Sequence, residues 1–342
     1  MASVPMELVV GVIFPAKKIG HLRNVLHEHR DGVRFVLLDL SDEALRSPQD
    51  LERKYGPLHV VLHKLAHEMV FARLGDASAA RRLALMKEYT SQHPDVPIVD
   101  PIDSVQLLTD RHDACRMLQR LKESPSASVA FNVPPFRVVQ SPADFQALLQ
   151  AVDAGETALP LICKSVEACA TDRSHMMTVV TKRADLQQLD FPVIYQQEFI
   201  NHSGRLFKGY VLGDIINVAE RRSLPNLQAN DTRSLAFNTQ EKYPTAQDFD
   251  ASTTAQSSAT ASSSSSSSSS LSQDTIFAAV RAIGQRIREE LKLSLFGFDV
   301  IVSDATQEFF VIDVNYFPSY KELEDFDGAL RRHLRRSYEQ KH

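Results

Sequence analysis

Residues 294–321 read SLFGFDVIVSDATQEFFVIDVNYFPSYK: two apolar runs, FDVIV and FFVIDVN, around a polar SDATQ connection. Runs this rich in Phe, Val and Ile, separated by a short polar loop, specify an antiparallel hairpin. Asp299, Asp313 and Asn315 interrupt those runs, and aspartate is almost never buried unless it is paired or bound to a metal. Asp313 and Asn315 are two residues apart, so on a strand they share a face. Centring the loop between Ala305 and Thr306 pairs position 299 with about position 312 and brings Asp299 beside Asp313. Two carboxylates and an amide converging from paired strands make an oxygen donor set suited to Mg2+, whose shell water and substrate phosphates complete. The competing reading is a set of turn caps or one internal hydrogen-bonded cluster. A lone D-x-N would favour that alternative, whereas the second strand and the bulky apolar flanks favour the metal.

The rest of the chain supplies a scaffold for this hairpin. Strand-like runs at residues 8–14, 34–40 and 58–65 alternate with helical patterns over 18–29 and from the third run to about Tyr89, and residues 98–101 close the unit. Such alternation builds βαβ units and a parallel sheet. A helical pattern over 103–122 follows, and a new segment starts at 134–136. Residues 159–165 with 176–182, then 193–200 and 205–224 with a turn at Gly213–Asp214, read as locally paired strands and hence antiparallel sheet. The expected architecture is α/β followed by α+β: an N-terminal unit over 1–102, a central unit over 103–200 and a C-terminal unit over 201–335. Residues 244–274 contain STTAQSSATASSSSSSSSSLSQ, too poor in apolar side chains to offset the entropy of ordering, and read as a disordered insertion. After it, Ile276, Val280, Ile283, Ile287 and Leu291 recur at helical spacing.

Composition narrows the partners. A net charge of -5 with 24% charged and 43% hydrophobic residues is that of an ordinary globular chain, which argues against nucleic acid or a membrane surface as the main partner. Cys115, Cys163 and Cys169 show neither disulfide nor zinc spacing. The opening MASVPMELVVGVIF lacks a basic leader region and reads as a first strand; a cytoplasmic monomer is expected. Neither a GxxxxGK[ST] nor a GxGxxG phosphate loop occurs. Cations instead mark strand ends: Lys17 and Lys18 after the first run, Lys64 after the third, Arg111 at a helix start, and Arg221 with Arg222 near Ser223. Most surface lysines are solvated, but Lys164 and Lys208 interrupt apolar strand runs and point to a pocket for a polyanion. His175 is either a substrate contact or a surface histidine. Gln197–Glu198–Phe199–Ile200 ends a strand and suggests an interdomain hinge at an adenine edge.

Taken in order, HKL, DP…LLTDR, ICK…SH, QEFINH…LFKGYVLG, RRSLPN and SLFGFDVIV…VIDVNYFPSYK resemble the inositol 1,3,4-trisphosphate 5/6-kinases. The resemblance implies an ATP-grasp fold holding ATP between two sheets. It makes Asp299, Asp313 and Asn315 the metal ligands, with Asn315 also touching substrate, and gives Lys164 the ATP phosphates. It assigns Arg111, Ser223 and the hinge from Gln197 through Glu198, Phe199 and Ile200 to Lys208 to the nucleotide, with Arg221 a neighbouring cation. Lys18, Lys64 and His175 become inositol phosphate contacts, and Lys208 reaches a substrate phosphate. Two positions depart from the family pattern: Cys169–Ala170 stands where a histidine or aspartate precedes glycine, and Ser319 stands where glycine lets substrate approach the backbone.

The expected activity is Mg2+-dependent transfer of the ATP γ-phosphate to a hydroxyl of an inositol polyphosphate, with Lys164, Asp313 and Asn315 as the catalytic group. Inositol 1,3,4-trisphosphate at its 5- or 6-position and inositol 3,4,5,6-tetrakisphosphate at its 1-position are the model acceptors. The alternatives are a carboxylate–amine ligase on the same scaffold and a non-catalytic binding module. Members of the family can also run in reverse and move phosphate between inositol phosphates.

Overall fold

In the computed structural model, which describes residues 6–124, 129–189, 194–228, 232–250 and 271–342, a parallel sheet comes first. Its strands are β1 (Leu8–Ile13), β2 (Val33–Leu37), β3 (Val60–His63) and β4 (Ile98–Val99), in the order β2-β1-β3-β4. β1 is buried along its whole length, as a central parallel strand covered on both faces must be. The helix expected over 18–29 is split into Ala16–His21 and Arg23–His27, with Leu22 between them outside helical geometry.

The chain then forms β5 (Phe136–Val139), β6 (Leu161–Lys164), β7 (Met176–Val180) and β8 (Ile194–Glu198), followed by β9 (Arg205–Leu212), β10 (Ile215–Arg222), β11 (Leu235–Asn238), β12 (Leu295–Val302) and β13 (Phe309–Tyr316). Two antiparallel sheets result, β11-β7-β6-β8-β5 and β10-β9-β12-β13. The β9–β10 hairpin turns at Gly213, whose φ of 57° lies where glycine is at ease.

The last sheet has two faces of opposite character. Phe296, Phe298 and Val300 alternate along β12 onto the core side and are fully buried. There they meet the Gln273–Leu291 helix, whose apolar stripe (Ile276, Val280, Ile283, Ile287, Leu291) is buried as its spacing predicts. Phe298 fits because two glycines make room: a Cβ on Gly209 would lie 2.2 Å from its Cε1, and one on Gly284 2.7 Å from its Cζ.

The unit boundaries expected from sequence are crossed in three places. The Arg111–Glu123 helix, drawn with the central unit, packs on β13 of the last sheet. β11, drawn with the C-terminal unit, returns to the central sheet beside β7. The Phe326–Glu339 helix runs past 335 and docks on the first sheet, where Arg331, 1% exposed, donates to the carbonyls of Val25, Glu28, Arg30 and Val33. Such pieces are assigned by long-range packing, which local periodicity does not report.

The expected disordered stretch also fails at its ends. Ala246–Phe249 is helical with Phe249 fully buried, and Ser272 caps the helix that starts at Gln273; residues 251–270 lie outside the described residues. Among the described residues, no helix is long and apolar enough to cross a membrane.

A buried polar junction fastens the first sheet to the last. The Asp100 carboxylate accepts from the Ser294 hydroxyl and, at 2.8 Å, from the Leu295 N–H. The Asp100 N–H donates to Tyr316 Oη at 3.0 Å, and that hydroxyl donates to the His63 carbonyl at 3.0 Å. Burial pushes the Asp100 carboxyl from 3.8 up to about 6, against the opposing pull of Ser294 and Leu295.

Two stability tests follow from this packing. Gly209→Ala should lose about 1–3 kcal/mol in urea unfolding, because the new methyl displaces a buried ring. For Asp100 the folded state holds its proton more tightly than the unfolded state, so the group's stabilisation is full below about pH 4 and is lost as pH rises through about 6. Wild-type stability should therefore fall by roughly 3 kcal/mol relative to Asp100→Asn between pH 4 and 7; parallel pH profiles for the two proteins would remove the assignment.

Candidate active site

The β12–β13 hairpin begins in simple register, with Val302 opposite Phe309, Ile301 opposite Phe310 and Val300 opposite Val311. The register then shifts, and Asp299 faces Asp313. β13 therefore carries one extra residue, Ile312, as a β-bulge. This corrects the count from the loop, which set position 299 opposite 312. Unbulged, that pairing would put Asp313 opposite Phe298 on the core face. With the bulge, Asp299, Asp313 and Asn315 share the face turned away from Phe298. Asn315 Nδ2 donates to Asp313 Oδ2 at 2.7 Å, which leaves Asn315 Oδ1 as a further oxygen donor. β9 brings Lys208 opposite Asp299, and its Nζ donates to Asp299 Oδ1 at 2.8 Å.

The central sheet supplies the other wall of a cleft of about 260 Å3 lined by Arg111, Lys164, His175, Gln197, Glu198, Phe199, Ile200, Lys208, Ser223, Asp299, Asp313 and Asn315. Sequence reasoning proposed every one of these. Lys164 ends β6, is 6% exposed, and reaches Gln197 Oε1 at 3.5 Å. The buried Gln197 Nε2 has no partner among the described residues, so a donor in the wall awaits an acceptor. Arg111 is engaged in holding the loop after β6: its guanidinium donates to the Ser165 carbonyl at 2.8 Å and the Ser174 carbonyl at 2.9 Å, and also to Glu167.

Charge in the cleft is tightly coupled. Burial and Asp313 together push the Asp299 carboxyl up, although Lys208 opposes them. Burial would also raise Asp313, but Lys164, Arg111, Asn315 and Lys208 outweigh it and hold that carboxyl low. Lys164 is pushed down by burial despite Asp313, whereas Lys208 overcomes its burial through Asp299 and Asp313 and is held up. Three cations thus face two carboxylates, a balance that an added polyanion with a divalent cation can satisfy. The metal fit rests on the donors themselves: two carboxylates and an amide oxygen on one face are all hard oxygen ligands, and a cation, the Lys208 ammonium, already lies against one of them.

Several cleft residues escaped sequence reasoning. His202, 5% exposed, donates from Nδ1 to the Ile200 carbonyl at 2.6 Å and accepts at Nε2 from the Ser223 hydroxyl at 2.8 Å, a tautomer assigned from these partners. It ties the Gln197–Ile200 stretch to Ser223, just past β10, and the Glu198 and Phe199 N–H groups are bonded to the Pro135 and Pro160 carbonyls. Thr239 donates its N–H to the His175 carbonyl at 2.8 Å, and Gln240 Nε2 meets His175 Nε2 at 2.9 Å. Tyr243 also lines the cleft. QEFINH contains His202, but nothing local ties it to Ser223, and Tyr243 sits at the edge of a segment dismissed for its composition.

Four proposed residues do not line this cleft. Arg221 is exposed and pairs with Glu322, and Ser319 is exposed beyond β13. Lys18 is buried, donates to the Phe317 and Pro318 carbonyls at 3.3 and 2.8 Å, and lies 3.9 Å above the Phe317 ring. Burial, then Lys64, lowers its pKa to about 6. Lys64 donates to the same Phe317 carbonyl at 3.0 Å. Both lysines are therefore fastened just past the end of the strand that carries Asp313. Of the two departures, Cys169 docks its thiol on the Ala66 carbonyl at 3.8 Å, and Ala170 keeps a φ of 78°, a conformation that favours glycine.

Comparison with known proteins agrees with this geometry. The family model described as inositol 1,3,4-trisphosphate 5/6-kinase ATP-grasp domain matches residues 126–336, and the corresponding pre-ATP-grasp domain matches residues 9–105. Inositol-tetrakisphosphate 1-kinase 1 of Zea mays is 31% identical over 286 residues, covering 80% of this chain and 74% of its own. Inositol-tetrakisphosphate 1-kinase of Danio rerio is 28% identical over 307 residues, covering 89% and 72%. Among solved structures, a RimK domain ATP-grasp protein from Sphaerobacter thermophilus superposes with a TM-score of 0.58 at 16% identity, covering 95% of this chain and 99% of that one; at that identity the likeness establishes the ATP-grasp fold alone.

The Lys208–Asp299 pair is testable by a double-mutant cycle. Lys208→Met alone should destabilise the fold by about 2–3 kcal/mol, since it leaves a largely buried carboxylate without its cation. Adding Asp299→Asn should recover most of that loss, whereas simple additivity in urea unfolding would show that the pair is not coupled.

Proposed function

The chain belongs to the inositol 1,3,4-trisphosphate 5/6-kinase family, and from that premise we propose that it transfers the γ-phosphate of ATP to a ring hydroxyl of an inositol polyphosphate. Inositol 1,3,4-trisphosphate at its 5- or 6-position and inositol 3,4,5,6-tetrakisphosphate at its 1-position are the acceptors to test first. The observation that carries the reading is the single oxygen-donor face of Asp299, Asp313 and Asn315 lining the same cleft as the buried ammonium of Lys164.

Phosphoryl transfer asks a protein for positioning and charge neutralisation more than for covalent chemistry. Asp299, Asp313 and Asn315 would hold one or two Mg2+, which when bound screen the charge of the nucleotide phosphates. Lys164, withheld from water, presents its charge to the nucleotide phosphates, and the unpartnered Gln197 Nε2 offers a hydrogen bond beside it. Arg111 acts one step back, holding the loop from Ser165 to Ser174 over that wall. The hinge from Gln197 to Ile200, braced by His202 and Ser223, forms the nucleotide end of the cleft. His175, at the other end of the held loop, faces the acceptor. The acceptor oxygen bonds to the γ-phosphorus as the bond to the β–γ bridging oxygen breaks, ADP departs, and the hydroxyl proton is released. In a loose transition state that proton leaves late, so a strong base is not required.

A carboxylate–amine ligase on the same scaffold would need an acceptor pocket that reads a carboxylate and an amine. The cations around this cleft suit phosphates instead. Incubation with ATP and Mg2+ against a panel of inositol phosphates, with dipeptide-ligase substrates as controls, separates the two: phosphorylation of the cyclitols alone is expected. Asp313→Ala should reduce that turnover to background while far-ultraviolet circular dichroism stays that of the wild type; retained turnover would overturn the assignment of Asp313.

A further inference from the structure

Beside the cleft, on the side of the first sheet, lysine and imidazole side chains gather from four elements. Lys17 is exposed on the Ala16–His21 helix, Lys64 follows β3, His67 is the second residue of the Ala66–Arg73 helix, and His175 ends the turn before β7. The loop after β6 draws these together. Its Cys169 rests on the carbonyl of Ala66, the residue before His67, while Arg111 ties down Ser165 and Ser174 on either side. His67 and His175 are each held below the ordinary imidazole value, first by burial and then by neighbouring cations: Lys64, His175 and Lys17 act on His67, and Lys17 and Arg111 on His175. Little acid answers them. Asp172 partly offsets His175, and Glu68, next to His67, has Arg82 as its ion-pair partner at 3.8 Å.

The division of labour within this group is uneven. Lys18 and Lys64 give their ammonium groups to the Phe317 and Pro318 carbonyls. The side chains of Lys17 and His67 make no hydrogen bond to another described residue. An uncompensated concentration of cationic and imidazole groups with free polar ends is a subsite for a multiply charged anion. A polyphosphorylated cyclitol needs such a place, because only its accepting hydroxyl has to enter the cleft while its other phosphates remain outside. We propose that His67 and Lys17 bind a non-reacting phosphate of the inositol polyphosphate, and that they thereby help select which ring position faces the nucleotide. The proposal rests on the kinase reading for the identity of the ligand, although the anion subsite can be measured without turnover.

The test uses the full chain and inositol hexakisphosphate as the calorimetric probe, with steady-state kinetics on inositol 1,3,4-trisphosphate alongside. His67→Gln and Lys17→Ala should each weaken probe binding about tenfold, the loss of one charge-assisted hydrogen bond, and raise the KM for the inositol phosphate while the KM for ATP stays put. His67→Arg, which places a permanent cation at the position, should bind the probe at least as tightly as the wild type and guards against a folding defect in the glutamine variant. Probe binding that weakens in both variants while no inositol phosphate is phosphorylated would uphold the subsite and defeat the kinase reading. Unaltered affinity and KM in both variants, with phosphorylation intact, would defeat the subsite and leave the kinase reading standing. Absence of probe binding by the wild-type protein would also overturn the subsite.

Discussion

One extra residue in β13 decides which face of the last sheet carries its two carboxylates. Side chains on paired strands alternate with period two, so adding Ile312 to one strand inverts everything beyond it relative to its partner. On the loop side of the bulge, Val300 and Val311 face the core together; beyond it Asp299 and Asp313 face the cleft together. The same parity keeps Phe298 on the inner face, where Gly209 and Gly284 receive its ring. Lys208 then makes the arrangement tolerable, since its ammonium lies on Asp299 and offsets two carboxylates placed side by side. The bulge, the glycine slot and the ion pair are three parts of one device.

The remaining architecture supports that device from both ends. The Asp100 junction and the Arg331 clamp join the parallel sheet to the last sheet, and a single apolar cluster runs through both. The central sheet carries two smaller clusters of its own, around Leu148 and Leu161 and around Val179 and Phe249. The wall bearing Asp299 and Asp313 thus belongs to the large core, and the wall bearing Lys164 belongs to the lesser ones.

Much of this was legible in the sequence because it follows local periods. The hairpin, the parallel opening unit and the stripe of the Gln273–Leu291 helix came from alternation and helical spacing, whereas the twelve cleft residues needed the family resemblance as well, which alone supplied Ser223. What stayed hidden depends on partners far along the chain. The bulge is invisible to a count from the loop, since one residue of register leaves the apolar pattern equally plausible. His202 acquires meaning only through Ser223, 21 positions away. β11 joins, and the Arg111–Glu123 helix packs on, a sheet that its neighbours in sequence do not predict. Nothing local around Lys18 and Lys64 announces the Phe317 carbonyl that both of them bind.

Ala170 has a consequence for the populations of the loop after β6. Its φ of 78° costs an L-residue roughly 1 kcal/mol that glycine escapes. That cost applies to every conformer in which residue 170 keeps its left-handed dihedral and vanishes in any conformer where it relaxes. At room temperature roughly 1 kcal/mol is a factor of about five in an equilibrium constant. Relative to a glycine-bearing loop of the same contacts, conformers in which residue 170 has relaxed gain about fivefold in weight, and the Cys169 contact with Ala66 favours the docked form.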